Sequence, residues 1–183
     1  TCSIREYQAE DKDAVISLFR NGILEHVYPA FFKTISHPDQ IGVTLSISMA
    51  GYVLGGSSYF MALLFGGAWA GLIYYCCYEI YEGYRLRRMA TDMADIQASF
   101  LDNPDNGFWV AKAEVNDAHK VMEFCKDRGF SRVVLETSTP QTAANALYSK
   151  LGFIQTSCHS NTHVNHWFSK LANIQVMHME KYI

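Results

Sequence analysis

The chain has 183 residues, of which 49% are hydrophobic and 18% charged, so one domain with a sizeable core is feasible and global disorder is excluded. A formal net charge of −3 without a long basic run argues against nucleic acid as a partner. The five cysteines, at 2, 76, 77, 125 and 158, lack any CxxC spacing, so reduced thiols in a cytosol-facing protein are expected, not a disulfide framework.

Thr1 stands where removal of an initiator methionine is expected, and no signal peptide is expected before the first strand. Cys2 to Gln8 alternates as an edge strand does. "AEDKDAVISLFRNGILEH" follows, with acids in its first turn. Ala14, Val15, Leu18, Phe19, Gly22 and Ile23 fall at helical spacing, which predicts a helix with that stripe on the core.

From Ile41 to Tyr78 no residue is charged. A bilayer core of ~30 Å needs about 20 helical residues. The run is too long for one upright span and suits two short ones, with Gly55-Gly56-Ser57-Ser58 as the break. Tyr52, Tyr59, Trp69, Tyr74, Tyr75 and Tyr78 are interfacial candidates where they fall near the ends. The alternative is a buried helix pair in a soluble protein. Arg85, Arg87 and Arg88 follow; by the positive-inside tendency they place this end in the cytosol, although an ordinary solvated helix face has the same composition. Cys76 and Cys77 read either as small apolar residues in lipid or as acceptors of palmitate.

"TDMADIQASFL" predicts a helix capped by Thr91 or Asp92, and "DNPDNG" a turn. Asp92 and Asp95 share a face of that helix and either bind an amine or serve the helix dipole. Phe108–Ala113 reads as a strand, and Asn116 to Arg128 as a helix stopped by Gly129. "SRVVLET" is a buried strand; "FIQTSCH" and "NIQVMHMEKYI" are two more. Cys158, His159, His163 and His166 lie close together, but the intervening Asn and Ser favour scattered surface histidines over a metal site. Strands and helices alternate towards the C-terminus, so an α/β or α+β protein is expected.

Between the strands lies a helix from Pro140 to Leu151. Thr139 is its expected cap, Pro140 its first residue, and Gly152 its left-handed terminator. Ala143, Leu147 and Leu151 form one stripe, expected on the core; Gln141, Ala144 and Tyr148 form the adjacent one. The plain structural reading is that alanines permit close packing and Tyr148 covers the core with its hydroxyl in water.

"QTAANALYSKLGF" after "RVVLETS" resembles the C-terminal motif of the GCN5-related N-acetyltransferase superfamily. "IREYQAEDKDAVISLF" resembles its first strand and helix. The apolar block followed by "DMADI" and "FWVAKAE" is similar to the membrane-bound camello-like branch, whose members acetylate amino groups. The resemblance covers Ser3 to about Phe153. It implies a mixed sheet flanked by helices with an inserted transmembrane hairpin: residues 1–35 as the N-terminal part of an acetyltransferase domain, 36–84 as the hairpin, and 85–183 as the C-terminal part. It further implies acetyl-CoA as cosubstrate and a small amine, such as a cysteine conjugate, or a protein lysine as acceptor. The bilayer would be that of the endoplasmic reticulum or a related endomembrane, with the globular part in the cytosol. Tyr148 matches the tyrosine cast as the acid that protonates the departing thiolate, and phenol and thiol are close enough in basicity for that transfer. Gln141 and Ala144 match positions along the cofactor. No metal is implied. The alternative is a non-catalytic membrane protein derived from such an enzyme, acting by association.

The superfamily's pyrophosphate loop, Q/R-x-x-G-x-G/A at a helix N-terminus, is absent from this sequence. "FWVAKAE" is followed at once by "VNDAHKVMEF", where two strands of ~5–6 residues and their turns should intervene. The chain therefore reads as shortened in its centre near Glu114 to Asn116. Asn116 and Asp117 stand at the helix start, where a negative charge repels phosphate. A rescue is conceivable, in which the strand Phe108–Ala113 pairs in parallel with Ser131–Glu136 through the intervening helix. Because the first strand and the strand Phe108–Ala113 belong to one sheet in this family, the apolar block between them must cross a membrane an even number of times or not at all.

Overall fold

The structure is a computed structural model that describes residues 3–103, 106–112, 125–162, 164 and 166–183. Strand β1 (Ser3–Glu6) pairs antiparallel with β2 (Trp109–Lys112), in register from Ser3 opposite Lys112 to Glu6 opposite Trp109. The whole apolar block lies between these two strands in sequence. Two paired strands share one side of any bilayer, so the block departs from that side and comes back to it.

A 3-10 turn, Ala9–Asp11, leads into α1 (Lys12–Leu24). The turn is held by buried Asp11, whose carboxylate accepts from both Arg5 guanidinium nitrogens (2.7 and 2.8 Å) and from the Gln8 N–H (3.1 Å). The hydrogen bond to Asp11 raises the Arg5 pKa above its ordinary value. The α1 stripe is only half fulfilled. Val15 and Phe19 lean on a small core of Tyr7, Met93 and Ile96, but Ala14 and Leu18 are exposed. The reason is that Leu18 borders an open cavity instead of a packed neighbour.

Helix α2 (Val27–Ile35) precedes the hairpin. Helices α3 (Pro38–Leu54) and α4 (Tyr59–Ala90) form that hairpin and turn at Gly55–Ser58, where the break was expected. Gly56 (φ 65) and Ser57 (φ 69) supply the left-handed residues of the turn. Small residues let the two backbones approach: a Cβ at Gly51 would lie 2.7 Å from the Met61 carbonyl, and one at Gly66 would overlap Ser48 Oγ. Thr44 and Ser46 donate their hydroxyls to carbonyls of their own helix, Gln40 O at 2.7 Å and Gly42 O at 2.8 Å, so neither leaves an unpaired group on an apolar face. Among the described residues α4 is the one helix long and apolar enough to cross a membrane.

The second half of α4 belongs to the protein interior. Ile73, Cys76, Cys77, Ile80 and Tyr81 are buried with Val27 and Ala30 of α2 and with Ala172 and Ile174 near the C-terminus. Cys76 and Cys77 are therefore neither in lipid nor open to acylation, because they occupy the stripe of α4 on which these segments pack.

Thr91 ends α4, and α5 (Ile96–Phe100) is capped by Asp95, whose Oδ1 accepts from Ala98 N at 3.0 Å. The predicted caps Thr91 and Asp92 thus serve the preceding helix end. The predicted helix Asn116 to Arg128 lies mostly outside the described residues. Residues 125–127 are helical, and Gly129 (φ 76) stops them, with Phe130 N donating to Cys125 O at 3.0 Å.

The C-terminal sheet has the order β3-β5-β4, all antiparallel, from β3 (Arg132–Ser138), β4 (Ile154–His159) and β5 (Val176–Tyr182). The parallel pairing of the strand at Phe108–Ala113 with the strand at Ser131–Glu136 does not occur. β2 is paired with β1 in a separate two-stranded sheet, and β3 pairs along all of its residues with β5. The fold is a mixed helix and sheet class with small sheets, as expected of a centrally shortened acetyltransferase domain. Helix α6 (Thr142–Lys150) joins β3 to β4, and a short α7 (His166–Leu171) precedes β5.

Candidate active site

The end of β3 and the start of α6 form a closed hydrogen-bonded unit. Buried Thr137 places its hydroxyl 2.8 Å from Gln141 Oε1 and 2.9 Å from Asn145 Oδ1. Gln141 Oε1 also accepts from Ser138 N (3.2 Å), and Asn145 Nδ2 donates to Ser138 O (3.1 Å). Thr139 does not cap α6. Its N–H donates to Gln175 O (3.0 Å) and its hydroxyl accepts from Gln175 N (3.2 Å), which prolongs the β3–β5 ladder and delays the helix to Thr142.

These bonds decide which face of α6 looks inward. Gln141, Asn145 and Tyr148 lie at i, i+4 and i+7, and this stripe, with half-buried Ala144, faces the strand. Ala143, expected on the core, is exposed, and Leu147 and Leu151 are only half-buried. Thr137 and Asn145 were not singled out from the sequence. The available clue was that Asn145 lies one turn beyond Gln141 on the tyrosine's own stripe.

The other end of α6 fixes Tyr148. Gly152 (φ 84) donates to Ser149 O at 3.1 Å, and Phe153 N donates to Tyr148 O at 3.0 Å, which is the double bond of a Schellman cap. The cap folds buried Phe153 against Tyr148, ring to ring at 5.9 Å and 64°. Lys181 Nζ adds a bond to the free carbonyl of Leu151 (2.6 Å).

Helix α4 ties this unit to the rest of the chain. Tyr81 OH lies 3.4 Å from Ser138 Oγ, and Lys33 of α2 donates to Thr139 O at 2.6 Å. Two turns beyond Tyr81, about 10 Å along the axis, Arg88 pairs with Asp92 and lies 5.5 Å from the Tyr84 ring centre. These groups line a cavity of about 460 Å³ whose walls include Phe19, Met93, Phe100 and Phe108. Asp92 and Asp95, expected on one helix face, are separated: Asp92 is at this cavity and Asp95 caps α5.

His159 is paired with His178, Nε2 to Nε2 at 2.9 Å, and His178 Nδ1 lies 3.4 Å from Glu136 Oε1. His163 lies outside the described residues, and His166 begins α7. Among the described residues no group of three or more His, Cys, Asp or Glu side chains is arranged to hold a metal.

A family model described as "Acetyltransferase (GNAT) family" matches residues 118–153, a stretch that contains β3 and α6 and ends on Phe153. Human N-acetyltransferase 8B is 27% identical over 214 residues, covering 96% of this chain and 92% of its own length. Probable N-acetyltransferase camello of Xenopus tropicalis is 28% identical over 192 residues, covering 82% of this chain and 85% of its own. The chain is a homologue of the camello-like N-acetyltransferases. Mouse probable N-acetyltransferase family 8 member 5 is 28% identical over 209 residues, covering 90% of this chain and 88% of its own. All three of these alignments are longer than the 183 residues of this chain, so gaps fall on its side of them. No solved structure matches it.

Proposed function

We propose that this chain transfers acetyl from acetyl-CoA to an amino group, with Tyr148 as the acid for the leaving thiolate. A neutral amine attacks the thioester carbonyl, the C–S bond breaks, the sulfur takes the Tyr148 hydroxyl proton, and the proton released by the nitrogen passes through solvent and restores the phenol. The observation that carries this reading is the fixed Tyr148: its helix is bonded to β3 at one end and locked on Phe153 at the other, within the segment that the acetyltransferase family model matches.

Ala144 is the small residue beside which the cofactor arm would run. Gln141 contributes through position, since its carbonyl oxygen is engaged by Thr137 and Ser138. The acceptor is a small amine, such as a cysteine conjugate, or a protein lysine. The cavity at Arg88 and Asp92 supports an acceptor with an apolar body, because its aromatic walls would take that body while Arg88 engages the Asp92 carboxylate. The pyrophosphate grip is the weak part of the design. The sequence lacks the glycine-rich loop, and Asp117 puts a negative charge at the expected position.

The α3–α4 hairpin is the membrane anchor, entering an endomembrane such as that of the endoplasmic reticulum from the cytosolic side. Ile41, Leu45, Met49, Val53, Leu63 and Leu64 are exposed on it, the β1–β2 pairing supports both flanks lying on one side, and Arg85, Arg87 and Arg88 favour the cytosol as that side. The missing loop favours a second reading, a non-catalytic membrane protein that acts by association. Labelled acetyl transfer to a cysteine conjugate at millimolar acetyl-CoA separates the two. Transfer abolished by Tyr148→Phe supports the enzyme; no transfer by the unaltered chain supports the second reading.

A further inference from the structure

We propose that α2 and α7 form an interfacial collar around the base of the hairpin, lying among the lipid headgroups and seating the globular part directly on the membrane. The inference rests on the membrane reading above and goes beyond it, because neither helix belongs to the apolar run.

The level of the base follows from the hairpin's register. Gly51 approaches Met61 and Phe65, and Gly66 approaches Ser48, so residues equidistant from the turn lie side by side. Continued downward, the first turn of α3 is level with Tyr75. At the tip the rings of Tyr52 and Tyr59 meet at 5.2 Å. The 17 residues of α3 separate tip from base by about 25 Å, close to the thickness of a hydrocarbon core. Tyrosines therefore mark both ends of the hairpin at the spacing of two interfacial belts.

Two sequence-distant helices are fastened at the lower belt. Gln40 Nε2 donates to Leu171 O at the end of α7 (3.3 Å), and the Phe168 ring meets Tyr75 at 6.0 Å. On the α2 side, Tyr28 and Phe31 each meet Tyr74 at 5.7 Å. The outward residues of this ring of contacts are large and aromatic: Trp167 is 67% exposed, Phe32 61% and Tyr28 60%, with Tyr28 and Phe32 one turn apart on a single face. Lys170 Nζ lies 5.5 Å from the Trp167 ring, so an indole and a cation share one site. Single exposed aromatics are ordinary on a water-facing surface. Several at the level where the apolar hairpin emerges have the composition of a membrane interface, with ring bodies for the acyl boundary and polar atoms for the headgroups. The collar also fixes a height. Arg88 lies about 20 Å beyond Tyr75 along α4, on the side away from the hairpin tip, so the acceptor cavity opens in the aqueous phase.

The chain's three tryptophans make the test, since Trp69 is in the hairpin, Trp109 in β2 and Trp167 in α7. The full chain is reconstituted in phosphatidylcholine vesicles brominated near either the carbonyl or the methyl end of the acyl chains. Three variants each keep one tryptophan and carry Phe at the other two positions. Trp167 should lose most of its emission to the shallow bromines and little to the deep ones, Trp69 should show the reverse preference, and Trp109 should be unaffected by both. Unquenched Trp167 beside quenched Trp69 overturns the collar and leaves the anchor standing. Unquenched Trp69 overturns the anchor and the collar together. Equal quenching of Trp109 and Trp167 also overturns the collar, because the whole surface would then be immersed. Phe32→Trp in a background without other tryptophans repeats the measurement on α2 and must give the shallow pattern.

Discussion

The ring of Tyr148 meets Phe153 nearly edge-on at 5.9 Å, and the same two residues share a backbone bond, Phe153 N to Tyr148 O at 3.0 Å. Helix termination and phenol placement are thus one event. Tyr148→Phe keeps the ring contact, so its stability should change by less than about 0.5 kcal/mol, while transfer should fall by roughly 10²-fold or more if the phenol is the acid. Phe153→Ala should cost about 3 kcal/mol and lower transfer as well. Thermal melts beside initial rates check the pair; equal rates for Tyr148→Phe and the unaltered chain would remove Tyr148 from the chemistry.

Cofactor affinity should be weak. The sequence lacks the glycine-rich loop whose backbone amides would hold the diphosphate. Isothermal titration should give acetyl-CoA dissociation in the millimolar range, with a steep loss on adding salt because the remaining attraction is long-range. Micromolar affinity would contradict this.

Neighbouring glycines in α4 should behave differently. A side chain at Gly66 runs into Ser48 Oγ across the hairpin, whereas one at Gly67 meets nothing within 4 Å. Gly66→Val should therefore destabilise the reconstituted protein by about 1–3 kcal/mol, and Gly67→Val should stay within about 0.5 kcal/mol. Denaturation in mild detergent reports both; equal effects would mean that the two helices do not pack in this register.

Gly152 carries a backbone cost that open space does not relieve. A Cβ there would touch only the flexible end of Lys181 at 3.8 Å, but φ is 84. Gly152→Ala should cost about 1–2 kcal/mol from the left-handed conformation alone. Gly22→Ala, inside α1 with nothing near its Cβ, should instead stabilise by up to about 1 kcal/mol. Opposite shifts in melting temperature are the expected outcome.

The hairpin, its turn at Gly55–Ser58 and the helix stops at Gly129 and Gly152 were legible because each is a local matter: an uncharged run, a cluster of turn residues, a glycine after a periodic stretch. The tyrosine-bearing helix was legible for the same reason. Its inward face was not, since Thr137 acts through side-chain bonds to Gln141 and Asn145 and overrides the Ala143–Leu147–Leu151 periodicity.

Sequence alone determined where this chain turns and which helix carries the phenol, because backbone conformation is set by a few adjacent residues. Only the tertiary structure decided that Cys76 and Cys77 lie in the core, that β2 pairs with β1 and not with β3, that His159 finds His178, and that α7 docks at the foot of the hairpin. Those are contacts between segments far apart in the chain. Each depends on what the competing surfaces bury, and no local period records that competition.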